Sequence, residues 1–134
     1  MYKEFFEDIY IGTIWTNLSD MNQTVIKRIS KELLDIQTKF DDSRRFNLHG
    51  SKEERYIPLL KEIGCTTFIS GPSAKSYLTD EAMENEGIKL EWMDYSEYKE
   101  YNQLYPPFEH SVSILDLIFN EGPNMKEFMK SFNS

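Results

Sequence analysis

Arg44, Arg45, His49, Ser51 and Lys52 bring cationic side chains, an imidazole and a hydroxyl into one short run, a set suited to holding an anion. Further along, Ser70-Gly71-Pro72-Ser73 follows an apolar run, and Tyr77 comes shortly after it. If Ser51 and Ser73 open helices, their free backbone N–H groups favour negative charge in the same place. The chemistry expected is recognition of a small anionic ligand through Arg44, Arg45, His49, Ser51, Lys52, Ser70 and Gly71. A second reading of Ser70 to Ser73 stands beside it: a plain strand-to-helix turn, in which Gly and Pro serve geometry alone. Other chemistries lack their residues. His49 and His110 are far apart in the chain, with no Cys or His at metal spacing, so no metal site is expected. No Gly-x-Ser-x-Gly elbow occurs, and Ser70 to Ser73 is neither a Walker loop nor a dinucleotide fingerprint. The residues assign no catalytic group and no cofactor.

The positioning elements follow from spacing. Phe5, Phe6 and Ile9 give Tyr2 to Tyr10 a helical repeat, followed by an apolar patch at Ile11, Ile14 and Trp15. Asn17 caps a helix with a stripe of Leu18, Met21, Val25, Ile29 and Leu33, and Lys27, Arg28 and Lys31 take its solvated face. A strand is expected over Ile36 to Phe40, then a polar loop from Asp41 to Gly50. Ser51 and Glu54 form a capping box for a helix that Pro58 should bend and Gly64 should stop. Cys65 to Ile69 reads as the central strand, and Ile88 to Met93 as another, with a broken helix closed by Gly87 between them. An aromatic loop around Pro106-Pro107 leads to a helix over Ile114 to Phe119, capped by Ser111 or Ser113, and a short amphipathic tail. Strand, helix, strand, helix, strand argues for parallel strands with right-handed crossovers. The fold class is a small three-layer α/β domain, with a short, mainly parallel sheet flanked by helices, spanning 1–134 as one domain. Its strand carboxyl ends would gather Asp41 to Gly50, Ser70 to Ser73, Asp94 and Tyr95 along one crevice.

Composition bounds the partners. The chain has 134 residues, 40% of them hydrophobic and 28% charged, which suits one domain with a real core. A net charge of −8 argues against nucleic acid and anionic membranes, which need a basic surface. The single cysteine, Cys65, reads as an inert thiol beside a strand, in keeping with a reducing compartment. Acidic Glu4, Glu7 and Asp8 break any signal-peptide run, and no apolar stretch could cross a bilayer, so the expected location is cytoplasmic. An open sheet edge and the Ile11, Ile14, Trp15 patch lead to the expectation of a homodimer or a partner chain.

Four blocks, taken in order, resemble the WbqC-like protein family. They are Leu18-Ser19-Asp20-Met21-Asn22, then Gly50-Ser51-Lys52-Glu53-Glu54-Arg55, then Thr67-Phe68-Ile69-Ser70-Gly71-Pro72 with Tyr77-Leu78 and Gly87-Ile88. The last is Phe108 with Ser113-Ile114-Leu115-Asp116-Leu117-Ile118-Phe119-Asn120-Glu121-Gly122. The resemblance implies a place in bacterial O-antigen and other surface-polysaccharide synthesis, with glycine or acyl transfer onto a sugar as the suggested activity of a transferase. It also implies that Ser70, Gly71, Tyr77, Asp116 and Asn120 match recurrent positions, although capping and loop bracing account for Asp116 and Asn120 as well. Family members are longer and open with a His-Gln-Pro segment, whereas His49 precedes Gly50 and His110 precedes Ser111 here. The chain therefore resembles the carboxy-terminal portion of the family pattern. That leaves two expectations: an enzyme, or a non-catalytic binding or assembly module.

Overall fold

Phe5, Phe6 and Ile9 share one side of a helical repeat, and the computed structural model carries them on α1 (Tyr2–Tyr10), with Phe6 and Ile9 buried. The structure describes residues 2–51 and 53–132. They gather into two units, Met1–Phe40 with Glu97–Ser134, and Asp41–Ser96.

In the first unit, Asn17 is extended and its side-chain oxygen accepts from the Ser19 and Asp20 amides at 2.8 and 3.3 Å, which starts α2 (Leu18–Arg28) as expected. Arg28 ties α1 to α2. Its guanidinium donates to Asp8 at 2.7 Å and to Glu32 at 2.8 Å, and lies over the Phe5 ring. After Arg28 the helix widens into a π turn, Ile29–Leu33, where the Leu34 amide reaches the Ile29 carbonyl. Asp35 then takes a left-handed φ of 55°, and the Ile36 amide bonds back to Ser30. The expected strand over Ile36 to Phe40 does not form. Ile36 is committed to the helix end, and the strands it was to join belong to the other unit. Leu18 also departs from the expected stripe and is exposed, while Ile29 is buried.

Ser113 is the cap of α5 (Ile114–Glu121), its hydroxyl accepting from the Leu115 amide. Leu117 and Ile118 on α5 bury with Phe6, Ile29, Leu34 and Met125, the last supplied by a 3₁₀ turn at Gly122–Phe128. Around this core Ile11 and Ile14 stay exposed, at 78% and 93%. Trp15, expected to share that patch, is half-buried and donates its indole N–H to the Ile9 carbonyl at 2.7 Å.

The aromatic loop is braced on α5. Tyr101 donates to the Asp116 carboxylate at 2.7 Å, and Gln103 donates to the same oxygen at 2.9 Å while its amide carbonyl accepts from the Glu109 N–H. Asn120 donates to the Asp116 carbonyl. Asp116 and Asn120 thus brace the loop and helix. Burial, with the adjacent Asp116 charge, pushes the Tyr101 phenol up to about 12. A phenol whose pKa rises on folding stabilises the fold below its unfolded value of about 10, and that stability fades as pH climbs toward 12. Alkaline unfolding should therefore begin near pH 10, and Tyr101→Phe should lessen its steepness. An unchanged pH profile of urea midpoints in Tyr101→Phe would show that the phenol is not held this way.

In the second unit, α3 (Glu53–Glu62) runs through Pro58 and ends at Gly64, whose φ is 69°. The Cys65 amide reaches back to the Leu60 carbonyl at 2.8 Å, completing the stop. Two strands follow, β1 (Thr67–Ser70) and β2 (Lys89–Trp92), paired in parallel from Thr67↔Lys89 to Ser70↔Trp92. Between them lie a 3₁₀ turn at Pro72–Ser76 and α4 (Asp80–Glu84), capped by Thr79 and closed by Gly87 in the left-handed region. Leu60, Ala74, Leu78, Met83 and Ile88 form the core here. The parallel pairing agrees with the expected α/β class. The expected central position of Cys65 to Ile69 does not hold. With two strands in the sheet among the described residues β1 is an edge, and Ile69 is 56% exposed.

Candidate functional site

The Gly50 to Tyr56 segment builds a pocket. Gly50 is left-handed with φ 77°, and a Cβ there would come within 2.9 Å of the Glu54 side chain, so only glycine lets Glu54 fold back. Glu54 then accepts from the Ser51 amide at 3.5 Å, one long half of the expected capping box. Beside this turn lies a pocket of about 370 Å³ lined by Ser43, Leu48, Gly50, Ser51, Arg55, Tyr56 and Leu59. Arg55 is exposed and makes no hydrogen bond or ion pair among the described residues. Among the described residues its guanidinium is the cation available at the pocket, and Ser43 and Ser51 bring hydroxyls to the same walls.

Tyr56 connects this pocket to Tyr77. The Tyr56 ring stacks on Tyr77 at 6.3 Å and on Phe68 of β1 at 6.5 Å. Burial, and then the neighbouring Tyr56 phenol, raise the Tyr77 pKa.

The structure separates the other expected residues into groups. Arg44 is occupied: its guanidinium forks onto Asp42, with contacts of 2.6 to 3.1 Å. Arg45 pairs with Asp41. Such exposed pairs are weak, about 0.2–1 kcal/mol, yet they cancel the charge an anion would need. His49 is exposed and does not line the pocket, although Leu48 and Gly50 on either side do. Lys52 lies outside the described residues. Ser70 and Gly71 stand at the carboxyl end of β1, where a Cβ on Gly71 would meet the Tyr95 hydroxyl at 3.4 Å. They do not line the pocket. The helix expected near Ser73 is a five-residue 3₁₀ turn without a side-chain cap, too short to focus a helix dipole on Gly71. Ser51 lines the pocket and Tyr77 only stacks on its Tyr56 wall, and Arg55 is the lining cation that sequence reasoning missed. Its signal was the four-residue step from Arg55 to Leu59, which puts both on one face of α3. Among the described residues, no three His, Cys, Asp or Glu side chains cluster as a metal site would require, and no helix is long and apolar enough to cross a membrane.

A glycine-started pocket on a capping-box helix and a short parallel strand pair beside it bear the blocks that suggested a family. The chain belongs to the WbqC-like protein family, whose model matches residues 1–128, the amino-terminal helices included. It is 35% identical over 127 residues to Uncharacterized protein Rv1507c of Mycobacterium tuberculosis, covering 95% of this chain and 54% of that protein. The chain thus spans about half the length of the curated relative it matches. No solved structure matches it.

Proposed function

We propose that this chain binds a nucleotide-linked sugar in bacterial surface-polysaccharide (O-antigen) synthesis and serves glycine or acyl transfer onto an amino sugar. The observation that carries the binding step is the Arg55 guanidinium, unpaired among the described residues, at a pocket shared with Ser43, Ser51 and Tyr56. Guanidinium and hydroxyl groups suit a phosphoryl group, and the half-buried Tyr56 ring suits a sugar or base face. Membership in the WbqC-like family supports the polysaccharide setting. In this reading the chain corresponds to the carboxy-terminal portion of the family pattern, and the additional length of its relative leaves room for the rest.

A second reading, a binding module whose chemistry another chain supplies, is favoured by the pocket lining. Among the described residues, those that line it include no His, Cys, Asp or Glu to act as nucleophile or general base.

A UDP-linked amino sugar titrated into the chain should shift the amides of Gly50, Ser51, Arg55 and Tyr56. Arg55→Ala removes a charge-assisted contact of about 2 kcal/mol and should weaken binding roughly thirtyfold. Undiminished affinity in Arg55→Ala, or no shifts at these four amides, would reject the site.

A further inference from the structure

We infer a second anion site, in the helical unit, for the phosphoryl group of a small ring-bearing phosphate ester. It is a cleft of about 450 Å³ lined by Lys27, Lys31 and Lys39 together with Ile36, Thr38 and Phe40. This goes beyond the reading above and does not depend on it.

The cleft exists because of two backbone events. Widening of the helix into a π turn at Ile29–Leu33 and the left-handed Asp35 return the chain beside the helix it has just left. Lys27 and Lys31 come from the outgoing helix and Lys39 from the returning segment, so residues far from a single helical stripe line one hollow. In the sequence Lys27 and Lys31 read as a solvated face; Lys39 joins them only through this reversal.

Among the described residues the ammonium groups of the cleft have no paired carboxylate. Lys31 and Lys39 form no ion pair among the described residues, and the Lys27 ammonium has the neutral Gln23 amide oxygen at 3.2 Å. The carboxylates near in sequence are turned to other work. Arg28 takes both Asp8 and Glu32, and the Asp35 carboxylate accepts from the Gln37 amide at 2.7 Å. A chain with 23 acidic against 15 basic residues has ample carboxylates to neutralise a lysine cluster, yet none lines this cleft. Neighbouring ammonium groups repel one another, and a multiply charged anion between them turns that repulsion into attraction.

The residue types select the ligand. Ammonium groups act as mobile point charges and suit a tetrahedral, multiply charged phosphoryl group; the planar fork that would favour a carboxylate is absent from the lining. Half-buried Ile36 and Phe40 supply an apolar wall for a sugar or base ring, and the Thr38 side chain adds a hydroxyl.

Inorganic pyrophosphate and UDP, titrated separately at low salt while backbone amides are followed by NMR, test the site. Both should shift amides within residues 27–40, with UDP the tighter because of its ring. Lys31→Glu with Lys39→Glu should weaken pyrophosphate at least roughly tenfold, and Lys31→Arg with Lys39→Arg should retain it. Lys39→Gln alone, an exposed change in an unpaired segment, keeps the test open if the double variant misfolds, and should weaken binding severalfold. No shift in 27–40 up to millimolar pyrophosphate, or equal affinity in wild type and Lys39→Gln, would overturn the proposal. Shifts confined to Gly50, Ser51, Arg55 and Tyr56 would overturn it while leaving the Arg55 pocket standing. Loss of shifts at those four amides alone would do the reverse.

Discussion

Ile118→Ala is expected to destabilise the helical unit by about 3–4 kcal/mol. Ile118 is 0% exposed and lies in the cluster of Phe6, Ile29, Leu34, Leu117 and Met125. Those neighbours come from three separate stretches of chain, so no one of them can collapse into the vacated space without dragging its own backbone. Removing the branched side chain therefore forfeits both transfer energy and packing. Against the few kcal/mol by which domains of this size are stable, that is a major share. Trp15 belongs to this unit and is held by its bond to the Ile9 carbonyl, so its fluorescence in a Trp92→Phe background reports the transition. A urea midpoint displaced by less than 1 kcal/mol would mean that α5 is not packed as described.

In the other unit, Met83→Ala should cost about 2–4 kcal/mol. Met83 is likewise 0% exposed, on α4, among Leu60, Ala74, Leu78 and Ile88. Its thioether fills an irregular gap between helix, 3₁₀ turn and strand, and alanine would leave that gap open. Trp92 on β2, in a Trp15→Phe background, reports this transition. Reading both indoles in both truncations gives a further result. If the chain folds as the one domain its sequence led us to expect, each truncation moves both probes together. If the two units fold separately, each moves only its own. A Met83→Ala midpoint within experimental error of wild type would contradict the core assigned here.

The elements that carry their own local chemistry were legible in the sequence. Asn17 and Ser113 are caps because their side chains reach amides two or three residues on, and Gly64 and Gly87 stop segments because only glycine is easy at positive φ. The π turn was not legible. Ile29 and Leu33 are spaced four apart, which an α-helix and a slightly widened one accommodate equally well, and nothing local announces that Asp35 will turn left-handed. The strand expected at Ile36 to Phe40 failed for the same reason: its alternation was real, but pairing is a tertiary event. In the site, Ser51 was chosen for type and spacing and lines the pocket with Tyr56, while Tyr77, taken from the family resemblance, stacks on the Tyr56 ring from outside that lining. Arg44 and Arg45 were chosen for charge, while the acidic residues just before them, Asp41 and Asp42, consume that charge within the same turn. Arg55 was hidden inside a helix-opening block, where an exposed arginine looks like ordinary surface.

The parallel pairing of β1 and β2 also fixes an order of events in time. Parallel neighbours cannot be joined by a tight hairpin, so no local turn can bring Thr67 opposite Lys89. The chain must first travel through the Pro72–Ser76 turn and α4, losing the entropy of closing that loop before any ladder hydrogen bond rewards it. Four residues a side, with no third strand among those described, are too few to hold the loop closed alone. The apolar docking of Leu78, Met83 and Ile88 has to supply the closure. The strand pair is thus a product of the unit's collapse and cannot be its seed, and the Ser70-Gly71 corner beside Tyr95 is assembled late on the folding route.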